Sequence, residues 1–206
     1  MVLVPFMVRK GTTNASALFM NARHLGFETG SFDIAICGFM GWYDCYDFSQ
    51  GKFTQPDTKA KEIWRVLRDG GRFVNCSWEE QEDLRWMEEA MIRHYPAILE
   101  DSEYLERRPI GSAYETAAGY EIIFRQAGFR EIEVLRETMT FVSTDEEEWW
   151  RQIQRLGWDS LTEKIQKSGS DRLQRVKEAI FEDLQHYKQE DGIHFDKVVL
   201  FACGLK

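Results

Sequence analysis

The sequence lacks the features that mark membrane, secreted and nucleic-acid-binding proteins. Its longest apolar runs, such as Val198 to Cys203, fall far short of the roughly 20 residues that a bilayer span needs. Met1 to Phe6 is too short to be the apolar core of a secretory signal. Lys and Arg number 26 against 35 Asp and Glu, and the net charge of −9 gives no electrostatic footprint for a phosphate backbone. We therefore expect a cytoplasmic protein that binds neither membrane nor nucleic acid.

Cysteine and histidine are scarce, with 4 of each. The cysteines lie far apart without a C-x-x-C pair, and three sit in apolar segments, where a free thiol behaves as a small hydrophobe. No histidine has a suitable ligand partner three or four residues away. The acidic run Asp145 to Glu148 suits the first turn of a helix, because neighbouring carboxylates diverge around a helix axis. We expect reduced, structural cysteines and no bound metal.

The apolar content is sufficient for one folded unit. The 206 residues are 43% hydrophobic and include 14 Phe, 7 Trp and 7 Tyr, so that burial can offset chain entropy. Only 4 Pro and 15 Gly interrupt the chain, and no segment is long or polar enough to link two domains. We expect a single domain over residues 1–206.

The first part of the chain predicts a βαβ unit. Phe32 to Phe39 is almost continuously apolar, as is typical of a parallel strand covered on both faces. Asp57 to Leu67 places its apolar residues on one helical face, and Gly70-Gly71 can end that helix. Arg72 to Ser77 then forms the next strand. The crossover between the two strands should be right-handed.

The rest of the chain alternates between helices and strands. Pro96 ends one amphipathic helix, Gly128 closes another, and Ser143 begins a capped, acidic helix start. The other predicted elements are helices at Glu79 to His94, Tyr114 to Ala127 and Asp171 to Gln189, and strands at Ile132 to Val142 and Lys197 to Cys203.

Two segments resemble a known family. N-A-R-H-L-G-F-E-T-G-S-F-D at residues 21–33 and R-V-L-R-D-G-G-R-F at residues 65–73 are similar to motifs of class I S-adenosylmethionine-dependent methyltransferases, specifically the small-molecule type 11 group. Ala127-Gly128-Phe129 matches the turn before that family's sixth strand, and the resemblance runs from about Ala17 to the C-terminus. It implies an α/β, Rossmann-like sheet of order 3-2-1-4-5-7-6 in the family's numbering. Residues at about 79–109 and 146–189 are then helical insertions that cap the strand ends.

The chain departs from the family pattern in two ways. Asn21 stands where the family has an aspartate near the adenine amine, so an amide replaces a carboxylate acceptor. No G-x-G-x-G lies upstream, because Gly11 is the only glycine before Gly26, and no acidic residue precedes Glu28. The family's first strands, its glycine-rich loop and its ribose-binding acid are therefore missing. We expect the chain to begin inside a methyltransferase domain.

This departure predicts a bare sheet edge. Without the first strands, the strand expected at Ala17 to Asn21 has no neighbour and Phe32 to Phe39 exposes unpaired backbone groups. Either the first of these strands moves beside the second, or a second copy of the chain covers the edge. We favour a homodimer, because Met1 to Val8 supplies further apolar surface to bury.

The resemblance implies S-adenosylmethionine as the cofactor. The matching positions are Asn21, Ala22 and Arg23 on the adenine side and Cys37, Gly38 and Phe39 beneath the methionine. The glycine loop would bring the backbone close to the cofactor, and the missing acid would hold the ribose hydroxyls. We therefore expect micromolar or weaker binding by this chain.

Aromatic residues beyond these positions are candidates for substrate binding. Trp42 and Tyr43 follow the central strand, and Trp78 ends the next strand on the same rim, so their rings could stack on a sulfonium or a substrate ring. The alternative is that Phe39, Met40 and Trp42 pack beneath neighbouring helices and that Trp78 anchors the helix that follows it. No catalytic residue can be identified.

The function implied by the resemblance is methyl transfer to a small-molecule acceptor. Such chemistry depends mainly on positioning, so a dedicated base is not required. The alternative is a catalytically silent methyltransferase-fold remnant that acts as a binding or oligomerisation module. The missing glycine loop favours the alternative, whereas the intact later motifs favour the enzyme.

Overall fold

The computed structural model describes residues 14–101 and 115–206. The strands are β1 (Phe32–Gly38), β2 (Tyr46–Asp47), β3 (Lys52–Phe53), β4 (Leu67–Gln81), β5 (Arg130–Ser143), β6 (Lys188–Gln189) and β7 (Gly192–Leu205). The α-helices are α1 (Lys59–Val66), α2 (Glu82–His94), α3 (Ala117–Ala127), α4 (Glu146–Ile153), α5 (Asp159–Lys167) and α6 (Ser170–Leu184). Shorter helical turns span Pro96–Glu100, Gln154–Trp158 and Gln185–Tyr187.

The central sheet has the order β1-β4-β7-β5, and the short β6 pairs with β7. β1 runs parallel to β4, whereas β7 runs antiparallel to both β4 and β5. In the family's numbering this order corresponds to 4-5-7-6, so the predicted α/β, Rossmann-like class is confirmed. Gly38 at the end of β1 lies opposite Cys76 in β4, so the carboxyl ends of these strands meet at one rim.

Helices α1 and α3 cover one face of the sheet. Their apolar side chains pack with Phe73 of β4 and with Leu200 and Ala202 of β7 in a buried cluster. Gly204 permits this close packing, because an added Cβ would lie 2.8 Å from the Phe124 ring. The opposite face is more open, and its most exposed apolar side chains include Ile34, Ile36 and Leu135.

Helices α2, α4, α5 and α6 form a cap next to the sheet. Their buried side chains make a second hydrophobic cluster, which also contains Ile193 and Phe195 from the start of β7. Phe195 stacks on Trp149 of α4 with 5.9 Å between ring centroids. The apolar stripe predicted for α6 faces this cluster, since Ile180 and Leu184 are fully buried.

The strand predicted at Ala17 to Asn21 is wrong. Residues 15–20 carry no regular secondary structure, and Asn21 forms only an isolated bridge with His24. A strand needs a neighbour to satisfy its backbone groups, and β1 pairs only with β4 among the described strands. Met1 to Val8, Tyr114 and the 102–109 part of the first insertion lie outside the described residues.

Several predicted helix ends are also wrong, because strand pairing extends further than expected. α1 ends at Val66 because backbone hydrogen bonds of Gly70 and Gly71 with Lys206 keep that segment within β4. α2 begins at Glu82 rather than Glu79, since residues 80 and 81 still pair with β7. The helix predicted to reach residue 189 ends at 184, because residues 188 and 189 form a short hairpin with β7.

The described residues contain no membrane-spanning helix, no cluster of metal ligands and no disulfide. No helix within residues 14–101 and 115–206 is long and apolar enough to cross a bilayer. Among the same residues, no group of three or more His, Cys, Asp or Glu side chains could hold a metal ion. The cysteines at 37, 45, 76 and 203 are all free, as predicted.

Gly192 provides a test of how β7 is anchored. Its φ is 142°, and an added Cβ would lie 2.1 Å from the Ser143 carbonyl oxygen. We predict that Gly192→Ala lowers the free energy of unfolding by more than about 3 kcal/mol, because backbone strain and a backbone clash combine. Gly157→Ala is the control, since Gly157 has φ 110° with nothing within 4 Å, and should lose only about 1 to 2 kcal/mol. Urea denaturation measures both, and equal losses would contradict the prediction.

Candidate functional site

A cleft of about 380 Å³ lies at the carboxyl end of β1. It is formed where the loop at residues 21–23 meets the loop at residues 40–44, with α1 beneath them. Ligands in open α/β sheets bind in such a crevice beyond the strand ends. The lining residues are Asn21, Ala22, Arg23, Met40, Gly41, Tyr43, Asp44 and Lys59.

An apolar groove of about 320 Å³ adjoins this cleft and shares Ala22 and Met40 with it. The groove follows β1 and includes Ile34, Ile36 and Cys37. Burial raises the pKa of the Cys37 thiol, so the side chain stays neutral. The cleft and the groove together therefore offer a polar end and an apolar end to one ligand.

Two cations and one carboxylate form the polar part of the cleft. Asp44 is paired with Arg23, and Asp44 Oδ1 lies 2.5 Å from Lys59 Nζ. Lys59 also donates to the Gly41 carbonyl oxygen at 2.8 Å and lies 4.8 Å from the centroid of the Trp42 ring. Burial acts to raise the pKa of Asp44, but hydrogen bonds and charges from Lys59 and Arg23 outweigh it and lower that pKa. The carboxylate is therefore ionised at neutral pH, and the three groups carry a net positive charge.

The Asn21 side chain stabilises the turn of the loop at residues 21–23. Its Oδ1 accepts a hydrogen bond from the Arg23 backbone N–H at 2.9 Å, which is an Asx turn. Because an amide oxygen has two lone pairs, it can still accept one bond from a ligand while the amide nitrogen donates. The side chain can thus contact both an exocyclic amine and a ring nitrogen.

A charge pair on α1 holds the chain that follows this loop. Glu62 Oε2 accepts from the Leu25 backbone N–H at 2.9 Å. Arg65 donates to the carbonyl oxygens of Leu25 and Phe27, at 2.9 and 2.8 Å, and to both Glu62 oxygens at 2.9 Å. The Arg65 hydrogen bond is the main cause that lowers the pKa of Glu62 to about 2. The loop at residues 21–23 is therefore followed by a segment fixed to α1.

A buried carboxylate fixes the loop that follows β1. Glu115 is fully buried, and its Oε1 accepts from the Trp42 backbone N–H at 2.9 Å. Its Oε2 accepts from the hydroxyls of Ser77, near the end of β4, and Tyr120, in α3. Burial, with the added effect of the Glu115 charge, raises the pKa of Tyr120, so the phenol remains a donor. The loop is thereby tied to both a strand and a helix.

A row of aromatic rings lies beside the strand ends, and we call it the aromatic ledge (Phe39, Trp78 and Phe141). The backbone of Phe39 has φ 54°, in the left-handed region that residues other than glycine seldom adopt. Its backbone N–H donates to the Cys76 carbonyl at 2.9 Å, and its ring stacks on Trp78 at 4.5 Å between centroids. Trp78 in turn meets the Phe141 ring at 6.0 Å. Because Phe39 and Phe141 are 48% and 43% exposed, the ledge offers an apolar surface.

The structure brings several predicted site residues together. Asn21, Ala22 and Arg23 share the cleft with Tyr43, although 16 residues of sequence separate the two loops. Cys37 lines the adjoining groove. Gly38 ends β1 but is not among the lining residues of either cavity, and within 4 Å a Cβ there would meet only Cys76 Sγ, at 3.8 Å.

Other predicted site residues lie elsewhere. Phe39 and Trp78 are partners on the aromatic ledge. Trp42 is fully buried and packs against Phe73 and Tyr120. Trp42 therefore packs in the core, which is the alternative that the sequence analysis left open for it. Its ring still contacts the cleft indirectly, because the Lys59 ammonium lies over it.

Three charged residues of this region are missed by sequence reasoning. Lys59 carries a detectable signal, because it places a charge next to the apolar face of the predicted helix. Asp44 directly follows the candidate Tyr43, yet no pattern marks it. Glu115 gives no signal at all, since its partners at 42, 77 and 120 are brought to it only by the tertiary fold.

No protein-family model matches the chain, and no curated protein matches it. Solved structures do match its fold. A Bacillus halodurans C-125 protein, provisionally assigned as a methyltransferase, has a TM-score of 0.53 at 15% identity, over 100% of this chain and 77% of that chain. The YcgJ protein of Bacillus subtilis has a TM-score of 0.52 at 18% identity, over 100% of this chain and 76% of that one. At these identities the likeness establishes a shared fold.

The charge pair on α1 predicts a pH-dependent stability. The pKa of Glu62 is lowered in the folded chain to about 2, against an ordinary 4.5. Its contribution is therefore fully present above pH 4.5 and is lost as the pH falls towards 2. We predict that Glu62→Gln destabilises the chain at neutral pH and that its deficit relative to wild type shrinks across this window.

Urea denaturation at about pH 6 and about pH 3 measures this difference. The matched control is Glu182→Gln, because the Glu182 side chain in α6 is exposed. The control should show the same small difference from wild type at both values. A deficit for Glu62→Gln that does not change with pH would contradict the prediction.

Proposed function

We propose that this chain belongs to the S-adenosylmethionine-dependent methyltransferases and transfers a methyl group to a small-molecule acceptor. One observation carries the proposal. The two segments that the sequence resemblance assigns to the cofactor are distant in sequence, yet Asn21 to Arg23 and the loop after Cys37 lie together at the carboxyl end of β1. The shared fold with a provisionally assigned methyltransferase is consistent with this proposal.

The residues present suit both ends of the cofactor. S-adenosylmethionine supplies an activated methyl group when bound. The Asn21 side chain can accept a hydrogen bond from the adenine amine, while the groove along Cys37 provides apolar contact. Arg23 and Lys59 are paired with Asp44, and the Asp44 carboxylate they hold in the cleft is an acceptor suited to hydroxyl or amine groups. The ionised Asp44 is therefore a candidate to bind the ribose hydroxyls. It would replace the family's ribose-binding acid, since no acidic residue precedes Glu28.

The acceptor is proposed to lie near Tyr43 and the aromatic ledge. Tyr43 is 47% exposed at the cleft, and the stacked Phe39 and Trp78 rings border the same strand ends. Rings of this kind favour a small acceptor with an apolar or planar body. The chain's contribution would then be positioning and exclusion of water, and no residue is assigned as a base.

The chain's cellular compartment and oligomeric state are also proposed. We place it in the cytoplasm, in keeping with its four free cysteines. We also propose that it acts as a homodimer.

Calorimetric titration with S-adenosylmethionine tests the proposed function. Wild type should bind with micromolar or weaker affinity, since each tenfold in affinity is about 1.4 kcal/mol and several expected hydrogen bonds are missing. Asn21→Asp should bind at least as well, because one oxygen can keep the Arg23 N–H bond while the other accepts from the adenine amine. Gly38→Trp should weaken binding, because the resemblance places Gly38 beneath the methionine of the cofactor and an indole ring there would crowd it.

The matched control is Leu135→Trp, which adds the same ring to an exposed site on the distant edge strand β5. It should bind like wild type, and thermal unfolding should show that both Trp variants are folded. Submicromolar binding by wild type would contradict the expected weak affinity. The absence of any binding would instead support the silent-module alternative.

A further inference from the structure

A separate cleft of about 420 Å³ lies in the helical cap, between the end of α2 and the face of α6 beside it. We call it the cap cleft. It shares no lining residue with the cleft or the groove at the end of β1. The described residues that line it are His94, Tyr95, Ala97, Arg172, Arg175, Val176 and Ala179.

Two arginines of α6 border the cap cleft. Residues three or four apart on a helix are neighbours, so Arg172 and Arg175 lie one turn apart on the face that also carries Val176 and Ala179. Arg172 Nη1 donates to the Ser168 hydroxyl at 3.1 Å, and a guanidinium has five N–H donors. Within residues 14–101 and 115–206, neither arginine is paired with a carboxylate. Both guanidinium groups can therefore donate to a ligand.

A histidine at the end of α2 lines the same cleft. His94 Nε2 lies 2.8 Å from Asp183 Oδ2, and Arg93 Nη1 donates to the same oxygen at 2.6 Å. The hydrogen bond with His94 is the main cause that lowers the pKa of Asp183, so this carboxylate is ionised and orients the ring. Nδ1 is then the ring nitrogen that can contact a ligand. An anion beside it favours the protonated ring, in which Nδ1 also donates.

The cap cleft is basic although the chain is acidic. The net charge of the chain is −9, yet none of the described residues that line this cleft is an Asp or a Glu. The carboxylate that contacts His94 is already paired with Arg93. Val176 is buried beneath the arginines, and Tyr95 adds an aromatic ring. The cleft therefore combines cationic groups with apolar surface.

We infer that the cap cleft binds a small organic molecule that carries a phosphate group. Arginines pair with phosphate oxygens through parallel, charge-assisted hydrogen bonds, and two arginines with His94 provide one donor group for each terminal oxygen of a phosphate monoester. A volume of about 420 Å³ lies in the range of small-molecule pockets, so the body of the ligand can lie against Tyr95 and Val176.

Such a ligand would bridge α2 and α6, because each helix contributes part of the cleft. Binding to the folded chain alone would then stabilise the cap. The inference does not depend on the proposed function, since every group it uses belongs to α2, to the turn that follows α2, or to α6.

Phenyl phosphate is the probe, and calorimetric titration of the full chain measures its binding. It should bind at least about tenfold more tightly than benzoate, because the phosphate has more charge and one more terminal oxygen. Amide chemical shifts of the isotope-labelled chain locate the site, and they should change at residues 94–97 and 172–179.

Arg175→Gln should weaken phenyl phosphate binding by at least about fivefold, because it removes one charged donor group. The matched control is Arg155→Gln, since Arg155 is an exposed arginine of the cap outside the cleft, and it should bind like wild type. Thermal unfolding should show that both variants are folded. Arg172→Gln provides the same test if Arg175→Gln does not fold.

Three results would overturn the inference. The first is the absence of phenyl phosphate binding at about 10 mM, and the second is benzoate binding of equal strength. The third is an equal loss of binding in Arg155→Gln and Arg175→Gln. Shift changes confined to residues 21–23 and 40–44 would likewise overturn it, because they would place the probe in the candidate cofactor cleft.

Discussion

Strand β7 joins the two hydrophobic clusters of this chain, and the placement of the candidate site depends on it. Its first residues, including Ile193 and Phe195, belong to the cap cluster, whereas Leu200 and Ala202 belong to the cluster beneath the sheet. β7 runs antiparallel to β4, so it begins where β4 ends. The cap is therefore held at the rim where the carboxyl ends of β1 and β4 meet.

The loops at this rim are held by buried polar groups rather than by apolar packing alone. Glu115 ties the Trp42 backbone to β4 and α3, and Lys59 ties the Gly41 carbonyl to α1. Burying such groups is favourable only when they are fully paired, so the geometry of each loop is tightly specified. The two loops therefore form one cleft, in which Arg23 and Lys59 are held beside Asp44.

The sequence predicts those features that depend on local patterns. The apolar run at Phe32 to Phe39 and the Gly-Gly pair predict the parallel β1–β4 unit, and the motif match predicts the sheet order. Local patterns do not predict which distant segments will pair through backbone hydrogen bonds. The backbone bonds of Gly70 and Gly71 to Lys206 extend β4, and the absence of a described neighbour leaves Ala17 to Asn21 without strand structure. The same limit hides Glu115, whose partners come from three separate segments.

We propose that S-adenosylmethionine binds at the carboxyl end of β1, between the two loops. Hydrogen–deuterium exchange with and without saturating S-adenosylhomocysteine tests it most directly, because exchange reports on each segment separately. We expect slower exchange in residues 21–25 and 38–44, with no change in α6 of the cap. Unchanged exchange in both loops, or slowing confined to the cap, would contradict this position for the cofactor.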